Sequence, residues 1–191
     1  MWKLFMNKAE RMPMENNLLE LALRRRSIRR YTGQPISDQI LDEILKVGLS
    51  APTSFGHRAV ELVLVRDPET IRRIGACKTM GGSQVNSARA LIVVIVHTGD
   101  KHQSEFWIED GAIASAYLLL AIEQYGLGAC WVHIRNRLGQ HKTSDEEIRA
   151  LLGVPSGYTV LNLIAIGEKG EQKRAYSEQD LAMDRIHNEI F

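Results

Sequence analysis

Leu91-Ile92-Val93-Val94-Ile95-Val96 is an unbroken apolar run in which five of six residues branch at Cβ. Branched side chains favour pleated backbone, and six residues are too few for a helix of ordinary length, so the run reads as a strand central in a sheet. Upstream, residues 61–66 give a second short apolar strand, and Asp67-Pro68-Glu69 follows as a cap with proline in the first turn of a helix through Ile71 and Ile74. Downstream, residues 110–125 are apolar on nearly all sides, which predicts a helix buried in the core or at a subunit interface and stopped by Gly126. Residues 129–134 read as a strand after Gly126-Leu127-Gly128. Ser144-Asp145-Glu146-Glu147 is a capping-box pattern opening a helix that Gly153 and Pro155 close, and residues 159–167 give a last strand.

The flanks complete the pattern. Ser37 caps a helix carrying Ile40, Leu41, Ile44, Leu45 and Leu49 that ends near residues 48–52, and residues 51–58 form a loop punctuated by Pro52 and Gly56. Residues 17–26 place Leu18, Leu19, Leu21, Ala22 and Leu23 on a helical stripe. Residues 1–16 read as an arm, flexible or laid on a neighbouring subunit. At the other end, residues 168–174 are a polar loop, residues 177–187 are expected to form one more short helix, and the apolar Ile190-Phe191 is expected to dock. Without repeats or a linker, residues 17–191 read as one domain of the α+β or mixed α/β class with about four strands.

Composition narrows the functions. The chain has 191 residues, 45% of them hydrophobic, with 24 Lys+Arg against 23 Asp+Glu, so no whole-chain charge points to nucleic acid or a membrane surface. Cys77 and Cys130 are distant and outside any Cys-x-x-Cys spacing, which predicts a reducing, cytoplasmic setting. Charged residues interrupt the N-terminal segment, and no later run is long enough to span a membrane.

Charge is nevertheless concentrated in one place: Arg24-Arg25-Arg26-Ser27-Ile28-Arg29-Arg30-Tyr31 puts five guanidinium groups into eight residues. A helix end decorated with solvated cations would explain the cluster alone. Ser27 within it and the second basic pair, Lys173-Arg174, just after the last strand favour a small anion such as a phosphate monoester. No phosphate-loop or dinucleotide glycine pattern is present, and the six histidines offer no metal-ligand spacing, so no metal is expected. The serines lack an esterase setting, Cys130 reads as a buried inert thiol, and Asp110 beside Glu109 reads as a helix cap.

Several stretches together resemble the FMN-dependent nitroreductase family, in the family's order: residues 25–31, Pro35-Ile36, Ala51-Pro52-Thr53-Ser54, the strand at 91–96, residues 126–131 and Ile166-Gly167. The resemblance implies a three-layer α/β/α sandwich with a mainly antiparallel sheet, assembled as an intertwined homodimer. It implies that Arg25 and Ser27 bind the phosphate and ribityl end of FMN, Arg26 contributes through its backbone, and Lys173 and Arg174 complete that site. Arg29 would face the flavin N1–C2=O edge, where a fixed cation favours the reduced anion. Pro52, Thr53, Ser54 and Gly56 would come from the other subunit, while backbone N–H groups of Val132, His133 and Ile134 lie near flavin N5 with no side-chain general acid.

This chain departs from the family where an amide-containing loop is usual, carrying Gly56, Arg58, Ala59 and Val60; Arg58 adds a cation beside the substrate opening. The implied activity is ping-pong hydride transfer from NADH or NADPH to a nitro-aromatic, quinone or related electron-poor acceptor. Reductive dehalogenation and flavin breakdown run on related scaffolds, and a non-catalytic flavin carrier or polyanion binder is the rival from another class. Arg24 and Arg30 are read as solvated.

Overall fold

The computed structural model describes residues 18–99 and 105–191. The arm at residues 1–16, the predicted helix start at Asn17 and His102 lie outside the described residues. In chain order the elements are α1 (Leu18–Arg24), α2 (Asp38–Leu49), β1 (Val60–Val65), α3 (Pro68–Ala76), α4 (Ser83–Asn86), β2 (Ala90–His97), α5 (Trp107–Gln124), β3 (Gly128–His133), α6 (Ser144–Leu152) and β4 (Tyr158–Gly167). Single 3-10 turns occur at Ser54–Gly56, Glu178–Asp180 and Met183–Arg185.

The apolar run lies inside β2, and the four strands pair in the order β1-β2-β4-β3, every neighbouring pair antiparallel. The sheet therefore resolves the choice between α+β and mixed α/β in favour of α+β. Alternation along β2 sorts its side chains cleanly. Ala90, Ile92, Val94 and Val96 pack with Ile40 and Ile44 of α2 and Leu118 and Ile122 of α5, whereas Leu91, Val93 and Ile95 pack with Ile71 and Ile74 of α3 and Ile148 of α6. Helices on both faces leave no wet side, which is why the strand reads as continuous apolar sequence.

One irregularity matters for the site. The β2–β4 register shifts between Val94 and Ile95, because Leu161 bulges out of β4. The Leu161 carbonyl then accepts from both Ile134 N, at 3.3 Å, and Arg135 N, at 3.1 Å, and so pins the exit from β3.

Several local expectations are corrected. α6 is capped by Thr143 with Glu146 in a reciprocal box, and Ser144 is its buried first residue. α5 begins at Trp107, so Asp110 lies inside it, 1% exposed, and is not its cap. Residues 177–187 form two separate one-turn 3-10 helices rather than one helix. None of their residues is buried, and a short segment without packing does not repay helix nucleation. Ile190 is 82% exposed and Phe191 fully so on the single chain.

A Cβ at Gly128 would come within 2.8 Å of Ile28 Cγ2, so only glycine lets Ile28 close over the start of β3. Gly128→Ala should destabilise the fold by about 1–3 kcal/mol, measured by chemical denaturation; unchanged stability would show that this approach is not constrained.

Candidate active site

The arginine stretch docks onto the outer edge of β3. Ser27 bridges Ala129 in parallel sense, Ile28 N donates to Ala129 O at 2.9 Å, and the Ile28 side chain is buried. The Tyr31 hydroxyl lies 2.7 Å from Ile28 O and 3.0 Å from Ala165 O, and burial raises its pKa. The segment after β4 clamps the other side: Thr32 N donates to Glu168 O at 3.0 Å and Gly170 N to Arg30 O at 2.9 Å. Glu171 accepts from Arg29 N at 2.6 Å, which lowers its carboxyl pKa, and Lys173 Nζ donates to Ser27 O. Arg25, Ser27, Arg29 and Lys173 are thus gathered at one edge.

The cations there are not equivalent. Arg26 donates to Arg174 O and lies over the Tyr176 ring at 4.2 Å, and Arg174 grips Asp180 through two 2.7 Å bonds. The reading of Arg24 as solvated is overturned. Its Nε lies 3.4 Å from Oε1 of Glu123, whose side chain is 4% exposed, and Lys169 Nζ reaches both Glu123 oxygens at 2.8 Å. A carboxylate inside α5 requires such partners, so Arg24 is structural. Among the described residues, the guanidinium groups of Arg25 and Arg29 have no hydrogen-bond or ion-pair partner, and both remain available to an anion.

Strand geometry decides which backbone groups face outward. Because Ala129 O accepts from Ile28, antiparallel alternation turns the N–H and C=O groups of residues 129, 131 and 133 away from β4, and those of Val132 toward it. Lys78 Nζ confirms the parity by donating to His133 O at 2.7 Å. Ile134 N is spent on Leu161 O, so of residues 132–134 only His133 presents its N–H to the open edge. Burial, then the charges of Arg137, Arg135 and Lys78, hold the His133 imidazole below its usual pKa.

The loop at 51–58 is anchored elsewhere. Ser54 donates to Asp110 Oδ1 from its N–H at 2.8 Å and from its hydroxyl at 3.0 Å, while Arg58 N donates to Thr53 Oγ1 at 2.9 Å. Phe55, Gly56 and Arg58 all have positive φ, at 52°, 70° and 51°; Phe55 is 82% exposed, and Pro52 and Arg58 are also exposed. Asp110 is the residue that the sequence reading missed: its position beside Glu109 suggested a cap, and only the packing of α5 against the loop shows it as an anchor. It lies near the start of α5, whereas the arginine stretch meets the chain just beyond that helix's end. The rise from Asp110 to Gln124 is ~21 Å, so the loop and the arginine stretch lie at opposite ends of α5.

Among the described residues no three His, Cys, Asp or Glu side chains gather to hold a metal, and no helix is long and apolar enough to cross a membrane. The family model described as the Nitroreductase family matches residues 22–79 and 76–168, which include the docked arginine stretch and β3. The chain belongs to the nitroreductase family.

A solved FMN-dependent nitroreductase from Clostridium difficile R20291 is 38% identical, superposes with a TM-score of 0.86, and is matched over 91% of this chain and 100% of its own. A putative NADH dehydrogenase/NAD(P)H nitroreductase from Archaeoglobus fulgidus is 30% identical over 90% of this chain and 97% of its own length. An FMN reductase (NADPH) from Bacillus subtilis is 27% identical over 80% of this chain and 66% of its own.

Asp110→Ala would leave the Ser54 N–H without its buried acceptor. Stability should fall by about 1–3 kcal/mol and hydrogen exchange at residues 53–57 should accelerate; unaltered exchange there would contradict the anchoring role.

Proposed function

We propose that this chain acts as a cytoplasmic homodimer in which NADH or NADPH and a nitro-aromatic, quinone or related electron-poor acceptor alternate at one FMN site by a ping-pong hydride mechanism. Membership of the nitroreductase family makes it an NAD(P)H-dependent oxidoreductase that works with FMN. The observation that carries the proposal is the pairing of two uncommitted guanidinium groups, Arg25 and Arg29, with an open strand edge that ends in the His133 N–H.

These residues fit FMN chemically. From Ala129, where the arginine stretch docks, to His133 is four residues of strand, about 13 Å, enough to carry a ribityl chain and the near part of a ring system. Arg25, Ser27, Lys173 and Arg174, with the Arg26 backbone, would hold the phosphate and ribityl end. Arg174 contributes only donors not spent on Asp180. Arg29 would stand at the N1–C2=O edge, and its fixed charge there favours the reduced form. His133 would direct its backbone N–H to N5, with Val132 and Ile134 setting the strand that orients it.

When bound, FMN supplies an atom that accepts and donates hydride; the chain positions and tunes it, and no side-chain acid is required. Pro52, Thr53, Ser54 and Gly56 would line the ring from the second copy, since the loop lies far from its own arginine stretch. Leu18, Leu19, Ile113, Tyr117, Ile190 and Phe191, all exposed on the single chain, supply apolar surface for that association. Arg58, exposed on the same loop, would face the acceptor and favour an acidic one.

Purified protein should be yellow and should bleach anaerobically with NADH or NADPH. Colourless protein that cannot be reconstituted with FMN would defeat the proposal, whereas yellow protein that never bleaches would make it a flavin carrier. Arg25→Ala should weaken FMN binding by roughly ten- to a hundred-fold in flavin-fluorescence titration, the scale of a lost charge-assisted bond. Arg58→Gln should raise the KM for acidic acceptors while leaving that for neutral quinones unchanged, and equal KM values in both enzymes would remove Arg58 from recognition.

A further inference from the structure

A second group of cations surrounds the end of β3 and takes no part in the cofactor assignment. Lys78 follows α3, and Arg135 and Arg137 flank Asn136, which has a left-handed φ of 56°. The turn is held firmly. Arg135 N is bound to Leu161 O at 3.1 Å, Arg137 N to Ile134 O at 3.0 Å, and Ser144 N to Arg137 O at 2.8 Å. Thr79 N meets Leu138 O at 3.2 Å, and Gln140 Nε2 meets Ala76 O at 3.0 Å, so the turn and the segment carrying Lys78 are tied to each other.

Three features distinguish this group from solvated surface charge. Among the described residues no carboxylate pairs with Lys78, Arg135 or Arg137, although Arg24, Arg66, Arg72, Arg149 and Arg174 all have acidic partners. Arg135 Nε is buried, and among the described residues it has no hydrogen-bond partner. The charges are also close enough to act on one another: Lys78 is held below its ordinary pKa by burial and then by Arg137. Like charges held close together repel, and a bound anion would relieve that repulsion.

We propose that Lys78, Arg135 and Arg137 form a binding site for a phosphate monoester at the His133 end of the β3 edge, holding a phosphate-bearing reactant with its reacting part beside that strand. Two forked guanidinium groups suit a tetrahedral dianion, and the lysine adds a point charge that keeps donors to spare after its bond to His133 O. The location relative to the reacting centre rests on the FMN reading above. The phosphate is either the 2′-phosphate of NADPH or one carried by the acceptor.

The test is calorimetric titration of the FMN-loaded dimer, in which the cofactor's own phosphate site is filled, with inorganic phosphate, adenosine 2′,5′-bisphosphate and 5′-AMP. Inorganic phosphate should bind, and Arg135→Met and Arg137→Met should each weaken it by about ten- to a hundred-fold, with flavin content unchanged. A preference for the bisphosphate over 5′-AMP that both variants abolish would identify NADPH as the source; phosphate binding without that preference would identify a phosphorylated acceptor. Phosphate affinity equal in wild type and variants, or no binding in any, would overturn the site. Failure to hold FMN would instead count against the function proposed above, so the two failures are separable.

Discussion

The outer edge of β3 is the constraint on which the site depends. Ile28 N on Ala129 O fixes the alternation of that edge, and the alternation then dictates that His133 presents both its N–H and its carbonyl outward. A one-residue slip would turn these groups into β4 and expose Val132 instead. The register is protected by close packing at one end, where Ile28 covers Gly128, and by the Leu161 bulge at the other, where one carbonyl takes the N–H groups of both Ile134 and Arg135.

Around that edge, carboxylates determine which cations are free. Glu123, buried in α5, holds Arg24 and Lys169; Asp180 holds Arg174. Glu171 does something different: it accepts the Arg29 N–H, orienting the backbone, and lies 3.6 Å from Lys173 while the Arg29 guanidinium stays unpaired. Arg24 and Lys169 are neutralised where they support the fold, whereas the guanidinium groups of Arg25 and Arg29 are left open among the described residues. The same accounting isolates Lys78, Arg135 and Arg137, for which the described residues supply no acid.

α5 imposes the other large-scale feature. Its first turns anchor the loop at 51–58 through Asp110, and its end delivers the chain to β3, so a single helix separates the two halves of the cofactor reading by its own length. In the proposed homodimer a second copy of the chain would bridge that separation, and the apolar residues exposed on α1, α5 and the C-terminal tail are available for the contact.

The sequence by itself determined the elements whose signals are local. The apolar run of β2, Ser37 and Asp67 as caps and the nearly all-round apolar α5 follow from side-chain shape and short-range hydrogen bonding, and the ordered motifs placed the chain in its family. The candidate residues Arg25 to Arg29 stand out in the sequence as a set, but their arrangement does not. Whether an arginine is solvated, paired or open depends on groups distant in sequence: Arg24 meets Glu123 across 99 positions, and Ser54 meets Asp110 across 56. Capping at Thr143 rather than Ser144, and the absence of a helix at 177–187, likewise turned on which side chains find burial. Tertiary structure alone decided the parity of the β3 edge, because strand alternation gives two equivalent choices until a long-range hydrogen bond selects one.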